Sequence, residues 1–99
     1  MDAEVNKWVG SGPVAKEIKT GRIGNGQMAC SFQLSAPTRD GNRTVWVRIN
    51  VYDPSLIRYV RRKVKPGVIA RVTGELMNRK HRGSGPQLTE VRAHEIDIE

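Results

Sequence analysis

Four apolar residues, Val45, Val47, Ile49 and Val51, alternate strictly with Trp46, Arg48, Asn50 and Tyr52. A period of two predicts a β-strand with a core face of β-branched side chains and a second face of mixed chemistry. Upstream, Met28, Cys30, Phe32 and Leu34 alternate with Ala29, Ser31, Gln33 and Ser35, which predicts a half-buried strand ended by Pro37. Asp40-Gly41 lies between the two runs and is a strong hairpin signal. The two strands are therefore expected to pair antiparallel, with Arg39 and Arg43 at a loop tip beside the Trp46 face. A first strand is expected over residues 5–9, bent at Gly10-Ser11-Gly12-Pro13 and resumed over residues 14–18. Residues 19–26 read as a basic hairpin loop, because Gly24-Asn25-Gly26 favours positive φ angles.

The period changes after Tyr52. Asp53 suits an N-cap and Pro54 the first helical position, and apolar residues then recur at Leu56, Ile57, Val60 and Val64. This predicts a short helix that stops before Pro66-Gly67. Its outer side carries Arg58, Arg61, Arg62 and Lys63, with Lys65 nearby, and reads as a solvated face. Residues 68–77 form a fourth strand, with Val68, Ala70, Val72 and Leu76 on one face and Gly74 marking a bend or close approach. Residues 78–87 make a long, basic, glycine-containing connection. Leu88 to Ile98 then reads as a fifth strand of mixed period. No repeat, low-complexity tract or linker divides residues 1–99, so one domain is expected.

Ninety-nine residues hold a single small core. With one Phe, two Trp and two Tyr, that core must come mainly from Val, Ile, Leu and Ala. Seventeen Lys and Arg against ten Asp and Glu leave a formal charge of +7, which points to a polyanionic partner. Charge by itself does not distinguish DNA, RNA or an anionic membrane surface. Cys30 is the single cysteine; inside an apolar alternation it reads as a small core residue in a reducing compartment. With no signal peptide or membrane span in the sequence, a cytoplasmic location is expected. Catalysis is disfavoured: His81 and His94 lack metal-ligand spacing, Asp53 is explained as a cap, and Gly21, Gly24 and Gly26 lack the Lys-Ser or Lys-Thr of a phosphate-binding loop. No cofactor or metal is expected.

The second face of the organising strand offers two flat π surfaces, a guanidinium and an amide, a set that suits single-stranded nucleic acid. The competing reading places Trp46 and Tyr52 beneath a second sheet or a partner chain. Trp8 fits a core cap, a subunit contact or a binding surface, and packing is favoured.

Five strands with one helix between the third and fourth describe an oligonucleotide-binding (OB) barrel. Val5-Asn6-Lys7, Trp46-Val47-Arg48 followed by Val51-Tyr52, Pro66-Gly67, Gly74-Glu75-Leu76 and Thr89-Glu90-Val91 together resemble, in order and spacing, the bacterial-type single-stranded DNA-binding protein family along nearly the whole chain. The resemblance implies an all-β fold with one short helix, built as a five-stranded antiparallel Greek-key barrel. It implies binding of single-stranded DNA without strong sequence preference, to protect it and remove secondary structure during replication, recombination or repair. A homotetramer is favoured, with a dimer in some members. Stacking carries over onto Trp46 and Tyr52, with Arg48 as a phosphate contact between them; apart from the resemblance, the loop cations Arg39, Arg43, Arg79, Lys80 and Arg82 are expected to track phosphates. Two further stacking tryptophans of the family correspond here to Thr38, which cannot stack, and His81, which can with less area. The family commonly adds a flexible linker and an acidic tip that recruits replication and repair proteins, whereas this sequence stops at Asp97-Ile98-Glu99; a naturally tailless version and a trimmed chain both fit. Two rivals stay open: a replication-restart accessory protein on the same barrel, and an adaptor using Trp46 and Tyr52 as a protein interface. RNA binding also stays open, because no feature reads or excludes a 2′-hydroxyl.

Overall fold

The computed structural model describes residues 4–79 and 88–99. Among these, six strands and one helix follow in the order β1 (Trp8–Pro13), β2 (Lys19–Arg22), β3 (Met28–Pro37), β4 (Thr44–Val51), α1 (Pro54–Lys63), β5 (Ile69–Arg79) and β6 (Leu88–Ile98). They form one sheet ordered β1-β5-β6-β4-β3-β2. The expected hairpin is present: β3 and β4 pair antiparallel with Phe32 opposite Ile49, Leu34 opposite Val47 and Ser35 opposite Trp46. The core is built from Cys30, Phe32 and Leu34 of β3, Ile49 and Val51 of β4, Ala70 and Val72 of β5, Val91, Ala93 and Ile96 of β6, and Ile57, Val60 and Val64 of the helical segment. The apolar face of β4 is buried only in its second half. Ile49 and Val51 are fully enclosed, while Val45 is 49% exposed because the strand begins before it reaches the core.

Two expectations need correction. The pairing is not antiparallel throughout, since β4 and β6 run parallel with Ile49 beside Val91 and Asn50 beside Arg92. The route through α1 and β5 brings β6 back alongside β4 in the same direction. The strands also number six, because the expected first strand is divided and displaced. Residues 5–7 are not in a strand, and Val5 is exposed. Instead the Asn6 side-chain amide donates to the Leu76 carbonyl at 2.8 Å and accepts from the Leu76 N–H at 2.9 Å, extending the β1–β5 ladder with a side chain. The strand proper then runs Trp8–Pro13 along β5. At Val14 the chain crosses to β3, through a bridge to Leu34 and a hydrogen bond from the Ala15 N–H to the Gln33 carbonyl. The next pairing, β2 with β3, starts at Lys19. Gly12 permits the crossing: a Cβ there would collide with the Ser35 carbonyl.

The mixed period of β6 has a local cause. The β5–β6 register shifts between Thr73 and Gly74, so that Thr73 faces Glu95 while Gly74 faces Ala93, and His94 is the extra residue. This bulge moves the core positions from Val91 and Ala93 to Ile96 and Ile98. Gly74 sits where a side chain would strike the Arg92 carbonyl, so the close approach expected there is present.

The helix begins and ends as the capping rules require. The Asp53 carboxylate accepts from the Leu56 N–H at 3.0 Å, Pro54 occupies the first turn, and Val64 closes the far end by donating to the Val60 carbonyl. The Tyr59 hydroxyl accepts from the Ile98 N–H at 3.2 Å and ties the helix to β6. Gly12→Ala is expected to lower the unfolding free energy by about 1–3 kcal/mol, as overpacking does; a urea midpoint equal to that of the parent would show that β1 and β3 do not meet as closely as described.

Candidate nucleic-acid interface

Along the outer face of β4 the side chains pass from open to enclosed. Trp46 is 60% exposed, Arg48 and Tyr52 are half-buried, and Asn50 is buried. The residues opposite them on β3 are Ser35, Gln33 and Ser31, and the small Ser35 leaves the Trp46 indole standing clear of the sheet. β3 pairs with β4 along its whole length and β6 joins at Ile49 and Asn50, so Trp46, Arg48 and Asn50 sit on paired strand backbone and Tyr52 follows directly after it.

The middle of the face is a closed polar network. The Asn50 side-chain amide donates to Glu90 Oε1 at 2.9 Å, Arg48 Nε donates to Asn50 Oδ1 at 3.3 Å, and the same Nε lies 3.4 Å from Glu90 Oε2. The Glu90 side chain keeps 4% of its surface exposed and that of Arg48 keeps 38%. A buried carboxylate needs a cation and hydrogen bonds around it, and Arg48 and Asn50 supply both. Asn50 therefore points inward and is not an outward hydrogen-bonding group. Arg48 is an anchored, ion-paired guanidinium with one part in solvent.

Tyr52 is also engaged. The Arg92 guanidinium carbon lies 5.1 Å from the centre of the phenol ring and covers one of its faces, a cation–π contact of about 0.5–1 kcal/mol where solvent reaches it. The other side of this region is a groove of about 350 Å³ lined by Lys19, Arg22, Ser31, Arg48, Asn50 and Tyr52 among others. Arg22 donates to the Gly26 carbonyl at 2.9 Å and so pins its own hairpin. Glu90, Arg92, Lys19 and Arg22 were not among the expected site residues. The basic hairpin was visible in the sequence, but its neighbour on the sheet was not; Arg92 and Glu90 reach this face only through the parallel β4–β6 pairing.

The loop between β3 and β4 is held by its own side chains. Thr38 Oγ1 donates to Asp40 Oδ1 at 2.6 Å, the Asn42 N–H donates to the same oxygen at 3.0 Å, and the Thr38 N–H donates to the Arg43 carbonyl at 2.9 Å. The Thr38 hydroxyl, with the Asn42 N–H behind it, holds the Asp40 carboxyl below its usual range. Gly41 takes the positive φ of 75° that the turn needs. Arg39 and Arg43 are exposed at this tip, and the Asp40 carboxylate between them is occupied with Thr38 and Asn42.

The remaining candidates separate. Arg79 ends β5, while Lys80, His81 and Arg82 lie outside the described residues. Trp8 packs against the core from its edge, its indole lying over Gly10 where a Cβ would collide with it. Cys30 is 3% exposed, and burial pushes its thiol up to about 11, partly offset by the positive charge of Arg61. His94 pairs with Glu75, Nε2 to Oε1 at 3.4 Å.

Two outcomes follow from this geometry. Glu90→Ala leaves the buried Asn50 amide without its partner while Arg48 still reaches solvent, and is expected to cost about 1–3 kcal/mol in urea unfolding, whereas Trp46→Ala should change stability by no more than about 0.5 kcal/mol. The Cys30 thiol should stay protonated and resist a thiol-specific reagent at neutral pH until denaturant is added; fast labelling of the folded chain would contradict its place in the core.

No family model and no curated protein matches the sequence. Solved structures do match it. A Plasmodium falciparum SSB in complex with ssDNA superposes with a TM-score of 0.81 at 22% identity, over 100% of this chain and 98% of that chain. The mitochondrial single-stranded DNA binding protein Rim1 of S. cerevisiae superposes with a TM-score of 0.83 at 16% identity in one crystal form, over 97% and 95% of the two chains. In a second form it does so with a TM-score of 0.80 at 17% identity, over 96% of each. From end to end, this chain therefore has the mostly β, single-helix fold found in these single-stranded DNA-binding proteins.

Proposed function

We propose that this chain is an OB-fold protein of the bacterial type that binds single-stranded DNA without strong sequence specificity. The observation that carries the reading is Trp46, a large indole 60% exposed on a strand paired to β3 along its length, in a chain of net charge +7. The likeness in fold to a protein solved in complex with ssDNA supports it. In this reading β1 and β2 are the two halves of one bent strand, and the curled sheet is a five-stranded Greek-key barrel.

Bases stack on Trp46 and on the Tyr52 ring face that Arg92 leaves free. A stack on an aromatic side chain contributes about 1–3 kcal/mol and tolerates any base, since every base has a π face. Phosphates are tracked by the loop cations Arg39 and Arg43, by the solvent-facing part of Arg48, and by Lys19 and Arg22 of the adjoining groove. Arg79, Lys80 and Arg82 are further candidate phosphate contacts, with His81 as a candidate stacking residue of smaller area. A duplex hides its base faces from such a site, so single strands are preferred by geometry. The protein acts by binding, without covalent chemistry, as a homo-oligomer with the tetramer favoured, and it keeps exposed DNA protected and unfolded during replication, recombination or repair.

Titration with an oligothymidine is expected to quench tryptophan fluorescence, more strongly at low salt than at high salt, and not with a duplex. Trp46→Phe should remove most of the quenching while Trp8 remains as a reporter of the core. Trp46→Ala should weaken binding by about 1–3 kcal/mol, roughly 5- to 150-fold. Absence of binding to any single strand would instead assign Trp46 to a protein interface.

A further inference from the structure

The helix carries a cationic surface that the fold does not use. Arg58, Arg61 and Arg62 stand at i, i+3 and i+4 and are all exposed, and α1 itself contains no Asp or Glu. Among the described residues no carboxylate pairs with any of the three; Arg58 Nη2 reaches only the neutral Ser55 hydroxyl, at 3.3 Å. Arginines in the last turn complement the helix dipole, which accounts for Arg61 and Arg62 but not for Arg58 in the middle. Like charges at these spacings destabilise a helix, so the cluster is unfavourable to folding unless an anion lies against it.

This surface is continuous with the outer face of β4. Arg58 and Arg61 line a cavity of about 250 Å³ together with Tyr52, Met28, Pro54 and Ile57. Tyr52 is also a wall of the 350 Å³ groove that holds Lys19, Arg22 and Arg48. Beyond the shared cavity, Arg58, Arg61 and Arg62 with Ser55 line an open recess of about 540 Å³. An apolar floor with two guanidinium groups at its rim suits a base with its flanking phosphates.

We propose that α1 carries a second segment of the single-strand path, in which the chain leaves the β4 face past Tyr52 and runs along Arg58, Arg61 and Arg62. The proposal rests on the single-strand reading above and extends it to a surface that reads from sequence as solvated. A strand long enough to pass Tyr52 engages these arginines; a short one held at Trp46 does not.

The test compares an oligothymidine of about four nucleotides with one of about thirty, lengths at the lower limit of and well above the span of a single barrel, using the Arg58→Gln/Arg61→Gln/Arg62→Gln variant. Three phosphate contacts on single strands contribute about 2 to the slope of log affinity against log salt. The variant should therefore lose about 2 from that slope with the long oligomer, equivalent to up to about a hundredfold in affinity at about 0.1 M salt. It should bind the short oligomer, and quench Trp46, as the parent does. The corresponding triple Lys variant keeps the charges and should retain the parent slope. An unchanged slope with the long oligomer, with Trp46 quenching intact, overturns the helix track alone. Loss of short-oligomer binding in the Gln variant also overturns it, because the arginines would then belong to the Trp46 site. If neither oligomer quenches the parent protein, the single-strand reading fails and the helix track with it.

Discussion

Val14 is the point at which this sheet is made to curl. Its backbone donates to the Val68 carbonyl at 2.8 Å and accepts from the Gly67 N–H at 2.9 Å, while the same residue bridges to Leu34 on β3. The chain that precedes it lies along β5, and the chain that follows it is held to β3, so one residue joins parts of the sheet that would otherwise stand apart. Its side chain is 2% exposed. Curling turns the alternating apolar positions of β3, β4, β5 and β6 toward a common interior closed by Ile57, Val60 and Val64. A core made largely of Val, Ile and Ala has little bulk per residue, and enclosing it from several sides compensates for the scarcity of large aromatic residues.

The same curvature decides the outer surface. With β4 held between β3 and β6, the polar side of its alternation is not uniformly open. Near β6 it is filled: Glu90 is buried, and Arg48 and Asn50 turn toward it. A buried ionic group is costly unless every partner is in place, and the cost is met here at the centre of the face, where the register is set. Toward the start of β4 no described residue fills it in this way, and Trp46 projects. The face thus combines a rigid polar base with an exposed aromatic end.

Net charge is a poor guide to which cations are available. Arg48 is paired with Glu90, Arg92 lies over Tyr52, and Arg22 is bonded to the Gly26 carbonyl. Arg39 and Arg43 are displayed by a loop whose own carboxylate is occupied internally. Arg58, Arg61 and Arg62 are displayed by a helix with no acid of its own. Among the described residues, the arginines of the β3–β4 tip and of the helix are therefore less engaged than Arg48 on the strand that first draws attention.

Local periodicity was enough to read β3, β4, their hairpin and the capped helix, because a strand's two faces, an Asp-Gly turn and an Asp-Pro helix start are written within a few residues. The direction of Trp46 belongs to the same class, since alternation places it on the face opposite Val47 and Ile49; its exposure does not. What only the tertiary structure decided depends on residues distant in sequence. Parallel pairing of β4 with β6 brings Arg92 beside Asn50, and with it Glu90 to Arg48 across 42 positions of chain. The bulge at His94 exists to keep two strands in register, so β6 shows only a disturbed period. The division of the first strand follows from the crossing at Gly12 and Val14, where a carbonyl on β3 leaves no room for a Cβ at position 12. A side chain's direction can be read from its neighbours in sequence; whether that direction leads to solvent or to a buried carboxylate is set by the strand that arrives next to it.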